Sequence, residues 1–486
     1  MATSVFDLVS GATYDIKVTY SDPNGQGSGT KTAQFSALAE FVMPAGTTIK
    51  TVAPSGGDYT SIDVAVDAAQ PGWEIRVSPG TYTTVTLANK AGTSSAPIIV
   101  KAADPSNKPV ITGTRAPGGS GFVITNSSYV YVDGFEVKDG GGCGQDGSGF
   151  HLVKSNHVVL QNNYVHDNGE EDIWLGDYSN TFTSTDGHNL IQNNTITNTR
   201  CSGGTGIALF LNPGSQNVIR GNTISGFYDN LKICSGDGAG SSPTATLTET
   251  TPHVLDLTGG AYDNHDTEVY DNTIGNAVDD FIEMDGVCVN ARVYHNIFQG
   301  TGSHNALSIA PAMPGPYFVI RNTIDGSWSE GFVKMNTGAG SATIPARNVF
   351  FYHNTFIRET AGNGINMWYD VPGDHFVPVK NIVFKNNIFW NKAGGRLTSV
   401  DIAQWPTNQP TFDYNLWHTT STSGIFEWWD GVRHVYDTFA QFQAGSGQEA
   451  HGIYGTGNAA IDAAVSIPGI NDSFNGTAPD IGATEF

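Results

Sequence analysis

The chain has 486 residues, including 59 glycines, with a formal net charge of −23 and a pI near 4.7. Such an acidic surface repels nucleic-acid phosphates and anionic lipids, so we predict neither a nucleic-acid nor a membrane partner. The sequence has no apolar run of the ~20 residues that a membrane-spanning helix needs. Its start, MATSVFDLVSG, lacks the charged and apolar regions of an export signal.

A short β unit is predicted over residues 1–46. Apolar side chains alternate from Tyr14 to Tyr20, and a Pro-Asn-Gly turn follows at residue 23. These strands resemble the end of a fibronectin type III module, which takes ~100 residues in full. We therefore expect a fibronectin-III-like fragment rather than a complete sandwich.

A short amphipathic helix is predicted after this unit, because Ile62, Val66 and Ala69 lie on one face and a Pro-Gly pair ends the segment. With the segments AGTSSAPIIVKAAD and KPVITGT, it resembles the opening of pectate-lyase-like β-helices. The resemblance implies that the helix caps the open end of a solenoid. A cap is physically required, because an open end exposes apolar core and unpaired strand edges.

The clearest signal is a strand pattern, V-x-x-N-x-I, that recurs eight times. The shared asparagines are Asn163, Asn194, Asn222, Asn272, Asn296, Asn322, Asn354 and Asn387. An inward asparagine at the same place in every coil stacks as a ladder, in which each amide bonds the next. The pattern predicts an all-β fold, a right-handed parallel β-helix over residues 47–400, with residues 401–486 as a C-terminal cap.

A second strand precedes each asparagine. Where its apolar residue points inward, the next residue points outward, because side chains alternate along a strand. The outward residues are His151, Trp174, Ala208, Lys232, Glu283, Ser308, Lys334 and Asn366. Coils stack ~4.8 Å apart, so these residues form one continuous stripe. The insertions Asp177–Gly187, Asp237–His265 and Asp370–Pro378 are expected beside it, since long loops of repeat proteins gather on the binding face.

The stripe predicts a polysaccharide partner. The expected substrate-binding residues are His151, Trp174, His304, Asn366 and Trp368. Trp174 and Trp368 would stack on sugar rings through their apolar faces. Simple loop packing is the alternative for both tryptophans, and a plain surface residue is the alternative for His151.

The densest polar cluster is VDDFIEMDG, which contains Asp279, Asp280, Glu283 and Asp285. Asp229 lies one coil earlier at the place equivalent to Asp280, so stacking should bring these two carboxylates within ~5 Å. Like charges this close raise one another's pKa unless a cation neutralises them. In so acidic a chain, a solvated acidic edge without function is the alternative.

The cluster resembles the site of family 9 polysaccharide lyases, in which an Asp on one coil pairs with Asp-Asp-x-x-Asp on the next. The matching residues are Asp229, Asp279, Asp280 and Glu283, with Glu in place of the last Asp. The family's base lysine lies in a Gly-Phe-Lys strand, which resembles the segment that ends at Lys334, with one Val inserted. The resemblance implies a Ca²⁺ site, which Asp285 would extend, and β-elimination of a uronic-acid-containing polysaccharide.

The predicted catalytic residues are Lys334, Lys232, Asp280 and Glu283. Lys334 is the first candidate for the base, and Lys232, adjacent to Glu283 on the stripe, is the second. A lysine must be neutral to accept a proton, and the nearby carboxylates oppose this, so bound Ca²⁺ would have to cancel their effect.

Two other functions stay open. The order of Asp229, Asp279-Asp280, His304 and Lys334 resembles the motifs of family 28 glycoside hydrolases, which implies an inverting hydrolase with acid and base ~6.5–9.5 Å apart. β-Helices also occur as adhesins and viral spikes that bind glycans without cleaving them. The lyase ranks first, because Glu283 and Asp285 add charge that a metal explains.

The cysteines contain no C-x-x-C pair, so they signal neither a zinc ribbon nor a redox motif. They are Cys143, Cys201, Cys234 and Cys288. Disulfides and buried thiols both stay open at this point. The resemblance to secreted carbohydrate enzymes implies a secreted or extracellular protein, and nothing in the sequence sets its oligomeric state.

Overall fold

The computed structural model describes residues 6–21, 28–176, 186–201, 203–210, 213–234, 264–310, 312–335, 347–367, 380–401 and 410–485. The chain forms two compact units. The smaller comprises Met1–Ala45 and Ser466–Phe474, and the larger comprises Gly46–Val465 and Asn475–Phe486.

The smaller unit contains an antiparallel strand pair, Thr13–Ser21 with Ser28–Ser36. The rings of Tyr14 and Phe35 stack across the pair, with their centroids 5.8 Å apart. The predicted N-terminal β unit is therefore confirmed. The Pro-Asn-Gly turn predicted at residue 23 lies outside the described residues.

The larger unit is a right-handed parallel β-helix, as predicted. Each coil contributes one strand to each of three sheets. The first sheet consists of Thr48–Val52, Trp73–Val77, Ile98–Ala102, Val130–Asp133, Val159–Gln161, Leu190–Gln192, Val218–Arg220, Glu268–Tyr270, Ala291–Tyr294, Tyr317–Ile320, Arg347–Tyr352, Lys380–Lys385 and Thr411–Asp413. The second consists of Thr81–Thr83, Val110–Thr112, Glu136–Lys138, Tyr164–His166, Thr195–Thr197, Thr223–Ser225, Thr273–Ile274, Ile297–Gly302, Thr323–Trp328, Thr355–Arg358, Ile388–Asn391, Leu416–Thr419 and Ile453–Tyr454.

The third sheet carries the predicted stripe. It consists of Val85–Ala88, Phe122–Thr125, Phe150–Val153, Glu171–Leu175, Thr205–Leu209, Asp229–Lys232, Ile282–Glu283, Leu307–Ile309, Val333–Met335, Ile365–Met367, Thr398–Asp401, Phe426–Trp429 and Arg433–Tyr436. Its neighbours are parallel except for the last pair, which is antiparallel. A separate parallel pair, Gly286–Cys288 with Ala312–Pro314, lies beside the coils.

The helix α1, Ile62–Asp67, packs on the strands of the first coil. Its N-cap is Ser61, whose hydroxyl accepts a hydrogen bond from the Val64 N–H at 3.5 Å. Ile62, Ala65 and Val66 are buried, so the apolar face covers the end of the solenoid core. The predicted capping helix is confirmed.

The asparagine ladder is present in every predicted coil. The Asn194 side-chain oxygen accepts hydrogen bonds from both the backbone N–H and the side-chain amide of Asn163, each at 3.0 Å. The same pair of bonds links each of the eight asparagines to the next. The ladder also extends to Asn415 and ends on the buried carboxylate of Glu449.

Coil strands continue past residue 400, where aromatic side chains replace aliphatic ones in the core. Phe384 stacks on Phe412 with the ring centroids 4.7 Å apart, and Phe389 stacks on Trp417 at 4.5 Å. The helix α2, Phe439–Ser446, packs Phe442 on this aromatic end of the core. A 3₁₀ turn, Gly457–Ala460, follows. The division of the chain at residues 46 and 400 stays a prediction.

The four cysteines form two disulfides, so the alternative of buried free thiols does not hold. Cys143 is bonded to Cys201 and Cys234 is bonded to Cys288. Both bridges join neighbouring parts of the coil stack across more than 50 residues of sequence. Among the described residues, no helix combines the length and the apolar character needed to cross a membrane.

Candidate functional site

The third sheet places the eight stripe residues in one register. His151 pairs with Trp174, Trp174 with Ala208 and Ala208 with Lys232. Lys232 then pairs with Glu283, followed by Ser308, Lys334 and Asn366. Strand alternation and coil stacking therefore bring together residues that are up to 215 positions apart in sequence.

Three carboxylates meet beside the middle of this stripe. One oxygen each of Asp229, Asp279 and Asp280 lies within 4.8 Å of the others, a spacing that suits a shared metal ion. Asp229 is 2% exposed and Asp280 is 3% exposed. We call these three residues the carboxylate cluster. Two of its members are buried and Asp279 is half-buried, so it is not a fully solvated acidic edge.

Backbone hydrogen bonds between adjacent coils position the cluster. The N–H of Asp280 donates to the Asp229 carboxylate at 3.3 Å. The N–H of Asn305, one coil further on, donates to the Asp280 carboxylate at 2.8 Å. Stacking of the coils therefore sets the spacing of Asp229 and Asp280, as the sequence predicts. Asp279 contacts the imidazole of His304 and accepts a hydrogen bond from the Tyr228 hydroxyl.

Burial and mutual repulsion raise the pKa of both central carboxyls. Burial, followed by the charge of Glu283, raises the pKa of Asp229 to about 9. Burial, followed by the charge of Asp279, raises the pKa of Asp280 to about 7. Because a bound cation would favour the ionised forms, this pair gains electrostatic stabilisation from a metal.

Lys232 is held between two carboxylates. Its Nζ lies 3.3 Å from Oε2 of Glu283 and 3.8 Å from Oδ2 of Asp229. These ion pairs favour the ammonium form, which cannot accept a proton. Lys232 therefore serves better as a counter-ion of the cluster than as a base.

Lys334 lies two coils beyond Glu283, with the strand of Ser308 between them. Burial lowers the pKa of Lys334, but the carboxylates of Asp285, Asp280 and Asp279 outweigh it, and the net shift is upward. The predicted base and the carboxylate cluster are thus electrostatically coupled.

Asp285 lies outside the set of oxygens that meet within 4.8 Å. Its Oδ1 accepts hydrogen bonds from the Ser308 hydroxyl at 2.8 Å and from the Ala310 N–H at 2.5 Å. Burial and the charge of Glu283 raise its pKa well above the usual range. Its proximity to Glu283 fits a supporting position, whereas its predicted role as a direct metal ligand lacks support in the geometry.

The predicted sugar-binding residues differ in exposure. The rings of His151 and Trp174 stack with centroids 4.0 Å apart, and the Trp174 indole N–H donates to the Phe210 carbonyl. Trp174 is only 4% exposed, and one face of its ring is covered by His151, so the described residues leave little of it for a sugar. Its role in substrate binding stays a prediction. His151 is half-buried, and Asn366 is 6% exposed. Trp368 lies outside the described residues, as do most residues of the three predicted insertions.

Sequence reasoning missed a set of residues that borders the cluster. A cavity of about 240 Å³ next to Asp229 and Lys232 is lined in addition by Glu170, Glu171, Gly204, Thr205, Ala208, Phe210 and Tyr228. The only signal was the acidic pair in GEEDIWL, which ends three positions before the stripe residue Trp174. The other residues lack a recognisable motif, because the cavity forms between coils.

The donor set of the cluster fits a hard divalent cation. Ca²⁺ prefers six to eight oxygen ligands and tolerates irregular geometry, and carboxylates are its usual protein ligands. Asp229, Asp279 and Asp280 would hold the ion, with Glu283 beside Asp229 as a further oxygen donor. Softer metals are disfavoured, because the cluster contributes only oxygen ligands.

Comparison with known proteins supports the fold. A family model described as a right-handed β-helix region matches residues 102–251. No curated protein sequence matches the chain. The solved complex of XylC with xylose is similar with a TM-score of 0.51 and 14% identity, covering 76% of this chain and 84% of that chain.

Two further solved structures are more distant. Pectate lyase Pel9A has a TM-score of 0.41 and 18% identity, covering 91% of this chain and 97% of that chain. Polygalacturonase from Erwinia carotovora ssp. carotovora has a TM-score of 0.42 and 11% identity, covering 79% of this chain and 93% of that chain. Because both TM-scores are below 0.5, these two likenesses carry no argument, and function has to be argued from the site.

Proposed function

We propose that the chain is a secreted polysaccharide lyase that cleaves a uronic-acid-containing polymer by Ca²⁺-dependent β-elimination. The observation that carries this proposal is the carboxylate cluster, with three oxygens within 4.8 Å of one another, two of whose members act electrostatically on Lys334. Two disulfides are consistent with an oxidising, extracellular compartment.

The chemistry requires removal of the C5 proton of a uronate. A bound Ca²⁺ would neutralise the sugar carboxylate, on which charge accumulates in the transition state. Lys334 is the residue that we assign to take the proton, and it must first lose its own. Its raised pKa disfavours that loss, so neutralisation of the carboxylates that raise it is a precondition for base catalysis.

A hydrolase is the second candidate. Without a bound cation, the pKa of Asp229 is raised to about 9, and a carboxyl group that keeps its proton at neutral pH is what a general acid requires. However, inverting glycosidases separate their two carboxyl groups by ~6.5–9.5 Å to admit water. The carboxylate oxygens of Asp229 and Asp280 lie within 4.8 Å, which favours a shared cation over an intervening water.

The reaction class is tested with a panel of polysaccharides, including polygalacturonate and alginate, with and without a chelator. A lyase releases unsaturated products that absorb in the ultraviolet, and the chelator abolishes them. Reducing ends without this absorbance would instead establish the hydrolase. Binding without either product would point to a non-catalytic adhesin or viral spike.

The variant Asp280→Asn tests the metal site. We expect loss of Ca²⁺ binding by calorimetry and a fall in kcat of about 10²-fold or more, with an unchanged circular dichroism spectrum. The fold should persist, because the apolar core does not include this side chain. Full activity of Asp280→Asn in the presence of a chelator would contradict the calcium site.

A further inference from the structure

A cavity of about 320 Å³, which we call the C-terminal cavity, lies on the outer face of the second sheet. Part of its lining comes from the strands of three successive coils, Thr323–Trp328, Thr355–Arg358 and Ile388–Asn391. The rest comes from the 3₁₀ turn Gly457–Ala460 and the chain that follows it, and from the C-terminal segment around Ile481. The stripe and the carboxylate cluster belong to the third sheet, so the proposed reaction does not use this cavity.

Hydrogen bonds fix the C-terminal segment against the coils. The Ile481 N–H donates to the Ala460 carbonyl at 2.9 Å, and the side chain of Ile481 is fully buried. Two residues later, the Ala483 N–H donates to the Thr355 hydroxyl at 2.9 Å. Because its two parts are held together in this way, the cavity is already formed without a ligand, as binding sites for small molecules usually are.

The lining combines apolar side chains with polar groups that lack partners. The indole N–H of Trp390 and the side chains of Thr323 and Asn458 form no hydrogen bond with another described residue. The Thr355 hydroxyl accepts the Ala483 N–H and keeps its own proton for a further acceptor. The apolar part consists of the isoleucines Ile357, Ile388, Ile461 and Ile481. A ligand that fits has to offer both an apolar surface and hydrogen-bonding groups.

Trp390 gives the cavity an aromatic surface. Its side chain is half-buried, and the ring of His418 meets it edge-on with the centroids 5.5 Å apart. The Nζ of Lys392 lies 5.6 Å from the centroid of the Trp390 ring. These contacts hold the indole in one orientation. A fixed indole suits the apolar face of a sugar ring, and its N–H suits a hydroxyl.

We infer that the C-terminal cavity is a second carbohydrate-binding site, which holds a sugar unit of a polysaccharide away from the carboxylate cluster. None of its lining residues is ionisable, so recognition depends on apolar contacts and hydrogen bonds. A sugar ring supplies both. An acyl chain would cover the isoleucines but leave the polar groups without partners, which is unfavourable. The inference concerns binding alone and is independent of the reaction that the chain catalyses.

A second contact with the same polymer would act through effective concentration. A polysaccharide that is bound in the C-terminal cavity keeps its other bonds near the stripe, so the apparent affinity for a long chain rises without any new contact at the cleaved bond. A short oligosaccharide cannot occupy both places at once. The cavity therefore affects KM for polymers and leaves kcat and the cleavage of short substrates unchanged.

Affinity electrophoresis in gels that contain polygalacturonate, alginate or xylan tests the binding. All proteins carry Asp280→Asn, so that neither candidate reaction is expected to cleave the polysaccharide during the run. We expect at least one polysaccharide to retard the protein, and Trp390→Ala to raise the Kd for it about tenfold or more. Asn458→Ala, in an exposed turn, should raise this Kd about threefold to tenfold without affecting the fold, because it loses no internal hydrogen bond.

The matched control is Trp73→Ala. Trp73 is also half-buried, and Lys50 Nζ lies 5.3 Å from the centroid of its ring, but it belongs to the first sheet near the N-terminal end of the solenoid. This variant should leave the Kd unchanged. Melting temperatures of the variants verify folding, and Asn458→Ala decides the question where Trp390→Ala does not fold.

The outcomes separate failure of this site from failure of the proposed reaction. Weaker polysaccharide binding in Trp390→Ala or Asn458→Ala than in Trp73→Ala supports the site even where no elimination product forms. Equal affinities of all proteins for each of the three polysaccharides, or no retardation at all, overturn it even where the wild type releases ultraviolet-absorbing products. Calorimetric binding of dodecanoate that Trp390→Ala abolishes, with unchanged polysaccharide affinity, likewise overturns it and assigns the cavity to an apolar ligand.

Discussion

The two lysines of the stripe illustrate how position decides the role of a residue. Lys232 makes direct ion pairs with Asp229 and Glu283, and these contacts hold its proton. Lys334 experiences the charges of Asp285, Asp280, Asp279 and Glu283, and the strand of Ser308 lies between Lys334 and Glu283. Neutralisation of the cluster by a cation therefore frees Lys334 more readily than Lys232. The sequence predicted Lys334 as the first candidate for the base and Lys232 as the second, and the ion pairs of Lys232 favour Lys334.

Removal of Lys334 tests this assignment. We expect Lys334→Ala to lower kcat by about 10²–10⁴-fold while Ca²⁺ affinity is retained, because general-base catalysis contributes about that much. Lys334→Arg should be equally inactive, since an arginine does not lose its proton. The readouts are the rate of ultraviolet-absorbing product formation and calorimetric Ca²⁺ binding.

Lys232→Ala provides the contrast. It should weaken substrate or metal binding without the same loss of kcat, because it removes a counter-ion of the cluster. If Lys232→Ala instead abolishes elimination and Lys334→Ala retains most of it, the two roles are exchanged.

At the scale of elements, the asparagine ladder ties the coils together. Each asparagine side chain forms hydrogen bonds with buried backbone groups of two coils. One side chain therefore stabilises both a turn and the contact between neighbouring coils. The Asn296 oxygen accepts two hydrogen bonds from Asn272, and its amide donates to the Val269 carbonyl at 2.9 Å. Loss of one member therefore leaves several buried groups without partners.

Removal of one asparagine side chain from the ladder should lower the stability of the fold. We expect Asn296→Ala to lower the free energy of unfolding by about 3 kcal/mol, since buried donors and acceptors lose their partners. Asn107→Ala, in an exposed turn, is the control and should change it by less than about 0.5 kcal/mol. Denaturant unfolding measures both, and equal effects would show that the ladder contributes little.

The C-terminal end of the ladder predicts a pH dependence. The carboxylate of Glu449 accepts hydrogen bonds from the Asn415 side-chain amide at 2.7 Å and the Trp417 indole at 2.8 Å. Burial nevertheless raises the pKa of Glu449 to about 8. The folded protein therefore holds a proton that the unfolded chain releases near pH 4.5, so this residue contributes less stability as the pH rises from about 5 to about 8.

Glu449→Gln isolates this effect from other titrating groups. The unfolding free energy of the wild type minus that of this variant should fall with rising pH, by up to roughly 4 kcal/mol between pH 5 and pH 9, because glutamine stays neutral throughout. Denaturant titrations at several pH values provide the measurement. A value that instead rises with pH would mean that the ionised form of Glu449 is the one stabilised in the folded protein.

At the scale of the whole molecule, the solenoid assembles its site from distant segments. Asp229 and Asp280 lie on adjacent coils but are 51 positions apart in sequence. The Cys234–Cys288 disulfide joins these coils directly after the strand of Asp229 and Lys232. Cys143–Cys201 closes a loop of similar length on the N-terminal side of the stripe.

Removal of either disulfide should lower the stability of the protein to a similar extent, but removal of only one of them should affect Ca²⁺ binding. We expect either double Cys→Ala variant to lose roughly 2–4 kcal/mol of unfolding free energy, because the loops they close are of similar length. Only Cys234→Ala/Cys288→Ala should also weaken Ca²⁺ binding, since it frees the two coils that carry the carboxylate cluster. Calorimetry on both variants checks this, and equal Ca²⁺ affinities would show that coil stacking alone holds the site.

The sequence by itself determined the repeat, and with it most of the fold. The spacing of Asn163, Asn194 and their successors specifies the coil, because a buried amide that bonds its equivalent in the next coil has to recur at the same place. Alternation along the strands then placed Lys232, Glu283 and Lys334 in one stripe. The approach of Asp229 to Asp280 followed from coil stacking. Glu449 at the end of the ladder has no counterpart in the repeat and was missed.

Only the tertiary structure decided which side chains meet. The separation of Asp285 from the cluster depends on its hydrogen bonds to Ser308 and Ala310, which no local pattern predicts. The burial of Trp174, the pairing of the cysteines and the cavity above Ala208 likewise depend on lateral packing between coils. The repeat in the sequence specifies the features that all coils share. A functional site forms where neighbouring coils differ, and the side-chain contacts at such a place depend on three-dimensional packing.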